Sequence, residues 1–424
     1  TRWIADGAKA PADEKPLADP RNYWSYQLPK RAALPKPKNA RWAQHPVDRF
    51  IAAQHDARGL SPRPQAPPAV LLRRLYLDLI GLPPTRAELH SFLANPSEDN
   101  WKKTVDDLLS RPEYGERWGR HWMDVWRYSD WYGSRAINEI RYSQRHIWRW
   151  RDWIVESLNE DKGYDQLIVE MIAGDELAPT DPKVLRATGF LGRNWYKFDR
   201  NVWMFETVEQ TSQAFLGLTL KCSRCHDHKF DPIEQQEYYR FRAFFEPHDV
   251  RTDRLSSTTG TEKDATLGQV LKEGVARVFD KQPDVPTYRF IRGDARYPDK
   301  ENPLAPGVPA ALGNADVKVE AIKLPPAAFY PALRPELVEG QLAQSSDKVK
   351  AADEAIVATK KKVKAAQTKL AAVKRATTEE KATAEPDVFL ADDFAKARPK
   401  IWKPISGQWV YENGRLIEKQ VTSF

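Results

Sequence analysis

Residues 222–226 read Cys222-Ser223-Arg224-Cys225-His226, and Cys222 and Cys225 are the only cysteines in the chain. Two thiols one helical turn apart can each add to one vinyl group of a single porphyrin. The histidine directly after the second thiol then lies under the ring, with an imidazole nitrogen free for iron. The spacing predicts one covalent haem c, held by Cys222 and Cys225 with His226 as the proximal ligand. Two other readings use the same residues. One is zinc on Cys222, Cys225, His226 or His228 and a distant residue, although His226 follows Cys225 too closely for easy tetrahedral ligation. The other is a reactive or structural disulfide.

The flanks support a seated planar group. Ala214–Leu220 is strongly apolar and can bury one porphyrin face, and Tyr238–Phe245 is rich in aromatics. Asp227 and Asp231 flank the histidines. A carboxylate beside an imidazole would hold the ring and raise its basicity; Asp231 before Pro232 also reads as a helix N-cap. Asp199–Leu220 reads as one long helix that delivers the cysteines.

Outward from this motif the chain is mainly α. Prolines keep 1–48 irregular. Helical periodicity begins at Pro46 and is strongest over Ala69–Ile80, ended by Gly81 and Pro83-Pro84. Thr85 with Glu88 forms a capping-box signature. Further helices are expected at Asn100–Ser110, Glu113–Tyr128, Ile147–Leu158, Tyr164–Ile172 and Ile233–Phe245. Residues 251–336 read as an extended, mostly irregular arm with short strands such as 286–291. Over 337–385, Leu342, Val349, Ile356, Val363 and Leu370 recur every seven positions. That pattern predicts a coiled-coil oligomer, a helical hairpin or a helical spacer. Residues 386–424 carry a hairpin signal about Asn413-Gly414, the start of a β-domain. The expected divisions are therefore 1–21, 22–250, 251–336, 337–385 and 386–424.

The chain has 424 residues, 41% of them hydrophobic, with 15 Trp. Seven tryptophans (118, 122, 126, 131, 148, 150 and 153) cluster in one stretch, as a large aromatic core or as a wall around a planar cofactor or sugar. The net charge of +7 is dispersed, which predicts no nucleic-acid binding. No apolar run approaches a transmembrane span. Haem c is attached outside the cytoplasm, so the expected location is periplasmic or extracellular. An export signal is then expected upstream, with this chain a processed form or part of something longer.

Arg117–Tyr128, Tyr164-Asp-Gln, Ala173-Gly-Asp175, Ala187–Phe190 and above all Leu216–Ile233 resemble the cytochrome-associated domain of unknown function of planctomycete secreted proteins. The resemblance spans about 22–335. It implies an upstream c-type cytochrome domain, whose last helix Thr1–Ala8 resembles. It also implies a following coiled coil and a concanavalin- or laminin-G-like jelly roll, whose opening strands Asp392–Phe394 and Gly407–Leu416 resemble. The family's setting beside polysaccharide degradation suggests carbohydrate-related work.

For the second axial ligand His121 is the first candidate and His248 the second; His228 is read as a site-edge residue. His228, Asp227 and His121 are the catalytic candidates, and Arg117, Arg120 and Arg127 could pair with propionates. Three functions follow. The first is electron transfer with a redox partner or the upstream cytochrome domain. The second is a haem-dependent enzyme on carbohydrate-derived substrates, with a polysaccharide as partner. The third is a non-catalytic interaction module with structural haem.

Overall fold

The computed structural model describes residues 2–7, 19–38, 42–129, 133–136, 139–141, 144–196, 199–264, 268–313, 317–320, 322–381, 408–413 and 415–420. About 55% is helical, with a few small antiparallel sheets, so the mainly α class holds. The chain divides into two compact units, Thr1–Gln341 and Leu342–Phe424.

A short helix, α1 (Arg2–Ala5), opens the first unit, and α2 (Pro46–Ala57) follows a proline-rich stretch. The stripe Leu72, Leu75, Tyr76, Leu79 then defines α3 (Pro68–Leu79) at helical spacing. It packs on Phe92 of α4 (Arg86–Ala94) and on Trp101 and Leu108 of α5 (Glu98–Leu109), a small core of its own. The expected capping box forms at α4: Thr85 N–H donates to Glu88 Oε2 at 2.7 Å, and Glu88 N–H donates to Thr85 Oγ1 at 3.3 Å.

The main core begins where α6 (Pro112–Val125) meets α7 (Trp148–Asn159). Gly115 permits the close approach, since a Cβ there would lie 2.5 Å from Val155 O. Trp126, Trp150, Trp153 and Trp203 are at most 1% exposed, so these tryptophans are core. Burying each such ring stabilises the fold by about 1.5–3 kcal/mol. Trp118 is 36% exposed, and Trp131 lies outside the described residues.

Next come α8 (Tyr164–Leu177), the short α9 (Pro182–Leu185) and α10 (Gly189–Gly192), and α11 (Arg200–Thr211). The long helix expected over Asp199–Leu220 does not form. α11 passes into a π-turn, Ser212–Leu216, which the left-handed Gly217 closes. The cysteines sit on a separate 3-10 turn, Leu220–Arg224, and its end. α12 (Gln235–Arg242) completes this part.

The arm is mostly irregular, as expected, and its short strands pair. β3 (His248–Asp253) pairs antiparallel with β6 (Val275–Asp280), enclosing β4 (Thr261–Asp264) and β5 (Gly268–Leu271). β7 (Thr287–Phe290) pairs with β8 (Pro298–Leu304). A small ladder, β1 (Gly133–Ala136) with β2 (Glu139–Arg141), precedes α7. A short helix, α13 (Pro326–Phe329), leads to α14 (Pro335–Lys381).

α14 is one uninterrupted 47-residue helix, so no hairpin forms within it. Its heptad residues Leu342, Val349, Ile356, Val363 and Leu370 are 50–65% exposed. β9 (Gln408–Glu412) and β10 (Arg415–Gln420) form the expected hairpin. The remaining jelly-roll signal, Asp392–Phe394, lies outside the described residues. No helix among the described residues is long and apolar enough to cross a membrane.

Candidate functional site

The 3-10 turn that carries the cysteines is clamped from beneath. Its Arg224 carbonyl accepts from Tyr239 Oη and from Gln235 Nε2, both at 3.0 Å, and the same amide donates to Phe290 O at 3.1 Å. Gln235 therefore ties the turn to α12 and to the end of β7. Cys225 N–H donates back to Cys222 O at 3.3 Å, and Ser223 is fully buried. The Arg224 guanidinium lies 4.5 Å over the Phe205 ring and 3.3 Å from Glu209. Ser223 and Arg224 anchor the turn, and both cysteine side chains stand exposed as free thiols.

Gly293 lies against the second thiol. Its φ is +75°, and a Cβ there would be 2.5 Å from Cys225 Sγ and 3.2 Å from Arg224 O. Only glycine fits both the left-handed backbone and this contact. Sequence reading missed it; the signal was an isolated glycine after a strand.

The residues after the cysteines divide their work. His226 is exposed, and its Nδ1 lies 2.7 Å from Asp227 O. A carbonyl only accepts, so Nδ1 carries the proton and Nε2 keeps its lone pair. The Asp227 carboxylate does not touch the ring: Oδ1 accepts the Gln235 N–H at 2.8 Å, at the first turn of α12. His228 Nδ1 accepts N–H bonds from Asp231 at 2.8 Å and Phe230 at 3.3 Å, bracing the loop.

Asp231 is not the helix N-cap that its place before Pro232 suggested. α12 starts later, at Gln235, where Glu237 Oε2 accepts the Glu234 N–H at 2.8 Å. Asp231 instead lies 3.3 Å from His228 and accepts from Tyr26. Burial and that carboxylate push the Tyr26 phenol up to about 12.

The other candidates lie elsewhere. His121 is exposed on α6, edge-on to Trp118 at 5.4 Å. His248 is buried beside Asp280, with Nε2 to Oδ1 at 3.4 Å. Arg120 pairs with Asp124, and Arg127 bonds Gln210 at 3.2 Å with Glu206 at 3.9 Å. Arg117 packs beside Gly81. Among the described residues, Cys222, Cys225, His226 and His228 do not form a group of three converging metal ligands. The zinc reading therefore gains no geometric support.

The fold and this loop describe a mainly helical protein with an exposed Cys-x-x-Cys-His turn on an aromatic core. Residues 46–250 match the family PSCyt2, described as a protein of unknown function (DUF1549), a planctomycete cytochrome c-associated domain. The chain is similar to that family over this stretch, which contains the cysteine turn and ends within β3. No curated protein and no solved structure matches the chain.

Proposed function

We propose that this chain is a c-type haem protein with a redox role outside the cytoplasm. One observation carries the reading. Of the polar side chains between 222 and 231, Arg224, Asp227, His228 and Asp231 hold the loop, while two thiols outside any disulfide, Cys225 beside the Arg224 side chain, and the Nε2 of His226 stand at the surface. That donor set fits covalent haem c, and similarity to a cytochrome-associated family adds to it.

Cys222 and Cys225 would hold the group through two thioethers, and His226 would ligate iron through Nε2. Bound haem c supplies one-electron redox chemistry. The Asp227 carbonyl fixes the His226 tautomer and orientation. The Arg224 carbonyl, held from two sides, keeps the thiols on one rigid turn. Thioether attachment outside the cytoplasm places the protein in the periplasm or beyond, passing electrons to a redox partner or an adjoining cytochrome domain.

A second reading, a haem-dependent enzyme, draws on the positions of other ligand-type residues. Met171 and Met204 are fully buried in the core, and His248 is engaged with a carboxylate. Fewer histidine and methionine side chains would then remain to bind the iron besides His226.

The test is an absorption spectrum of protein from its natural host, oxidised and reduced, with a pyridine haemochrome assay and the mass of the denatured chain. A mass one haem above the polypeptide is expected. A bare polypeptide mass overturns the proposal. A low-spin spectrum favours electron transfer, and a high-spin iron that binds cyanide favours the enzyme.

A further inference from the structure

Three ligand-type side chains meet in the core, away from the cysteine turn. α8 leaves helical geometry at Ala173 (φ −132°, ψ 22°) just before Gly174 and Asp175. His248 opens β3 and Asp280 closes β6, and the two are direct partners across that ladder. Among the described residues, Asp175, His248 and Asp280 are the one group of three His, Cys, Asp or Glu residues whose ligand atoms all lie within 4.8 Å of one another. His248 Nε2 is 3.4 Å from Asp280 Oδ1. Ligands about 2.0–2.1 Å from a tetrahedral metal stand roughly 3.3 Å apart; the His248–Asp280 edge already has that spacing, and Asp175 closes on it from within 4.8 Å.

Burial makes the group costly without a guest. Asp175 is 3% exposed and His248 7%. Each member keeps a buried atom with no hydrogen-bond partner: Asp175 Oδ1, His248 Nδ1 and Asp280 Oδ1. Buried polar atoms are ordinarily paired, and orphaned carboxylate oxygens are expensive. The cations nearby are committed: Arg277 donates to Val278 O and Pro179 O, both at 2.9 Å, and lies 3.6 Å from Asp253, while Arg200 donates to Glu246 O. Glu176 adds a further acid beside the pair.

We propose that Asp175, His248 and Asp280 bind one divalent transition-type cation, zinc or manganese, that ties α8 to the β3–β6 ladder. Two carboxylates balance its charge. An imidazole among them favours these ions over calcium and magnesium, which prefer all-oxygen sets. Three protein ligands leave one position for water.

The inference is independent of the haem reading, and the test separates the two. Full-length protein is stripped with a chelator, desalted, and titrated with Zn2+ alone or Mn2+ alone. Bound metal is measured by mass spectrometry and thermal stability by circular dichroism. One zinc or manganese per chain beyond any iron is expected, with a melting temperature that rises on loading. Asp280→Asn and His248→Gln should each weaken binding at least 10-fold while the covalent mass at Cys222 and Cys225 is unchanged. X-ray absorption at the metal edge of wild-type protein should give a shell of nitrogen and oxygen only, which serves if a variant fails to fold. No cation retained by folded wild type, sulfur in the shell, or unchanged binding in folded variants would each overturn the proposal.

Discussion

The loop 222–231 and the trio Asp175, His248 and Asp280 use polar side chains in opposite ways. In the loop both carboxylates and the second histidine have partners within the loop or on the elements packed against it, and Cys222, Cys225 and His226 stand exposed at the surface. In the trio Asp175 and His248 are deeply buried and Asp280 partly so, and each residue keeps an atom without a hydrogen-bond partner. A site for a large covalent group can be built on the outside, because the group brings its own apolar surface. A site for a small ion is built inside, where low dielectric strengthens its hold. Ligand donors are informative in both settings, but for different reasons: at the surface because the neighbouring polar groups are occupied, and in the core because water cannot serve them.

The sharpest way to break this comparison is to remove each set separately. Cys222→Ala with Cys225→Ala should abolish covalent haem entirely, read as the mass of the denatured chain, and leave zinc or manganese uptake intact. Were the double variant to lose the second metal as well, the two sites would be one. Next in size is Gly293→Ala. A left-handed φ and a Cβ 2.5 Å from Cys225 Sγ both oppose it, and together they should cost about 2–3 kcal/mol. Denaturant unfolding reads that loss, and haem occupancy should fall with it. Stability and occupancy equal to wild type would mean that the turn can shift freely under the thiols.

How much of this was legible in the sequence differs between the two regions for a physical reason. The loop is local. Its cysteine spacing, the capping box at Thr85 and the stripe on α3 all involve residues within a few positions, where helical geometry fixes who meets whom. The aromatic wealth also pointed to a core, and Trp126, Trp150 and Trp153 form one. The trio is non-local. His248 and Asp280 meet only because β3 pairs with β6 across an intervening hairpin, and nothing in either short strand names its partner. Asp175 did leave a trace: a carboxylate near the C-terminal end of an apolar helix opposes the helix dipole and asks for a reason. Asp231 was misread for the converse cause. An Asp-Pro pair suits an N-cap, but a tertiary contact with Tyr26 claims the carboxylate, and the helix begins four residues further on.

A smaller effect tests whether His228 is a brace or a participant. Its Nδ1 accepts two backbone N–H groups, and its side chain is 8% exposed. His228→Ala should cost about 1–2 kcal/mol in stability and leave the covalent mass unchanged. A large change in the reduced spectrum at unchanged stability would instead place His228 beside the iron.

The smallest effect isolates why the trio is unusual, by way of a carboxylate that is partly buried but well partnered. Desolvation pushes Glu88 up as it does Asp175. Glu88, however, accepts from the Thr85 hydroxyl and backbone, from Arg111 at 2.9 Å and from Tyr76, and these donors hold it down at about 2. The trio's Asp175 has only the backbone N–H groups of residues 175 and 176 as donors, with no side chain bonded to it, and burial lifts it to about 6. A carboxyl whose folded value is depressed contributes stability that is full above its unfolded value of 4.5 and is lost as pH falls through about 2. Glu88→Gln should therefore be about 1 kcal/mol less stable than wild type at pH 7, and the gap should shrink towards pH 2. Urea unfolding of both proteins at the two pH values measures it. A gap that stays constant with pH would show that the Glu88 charge adds nothing, and that donors alone do not separate the two carboxylates.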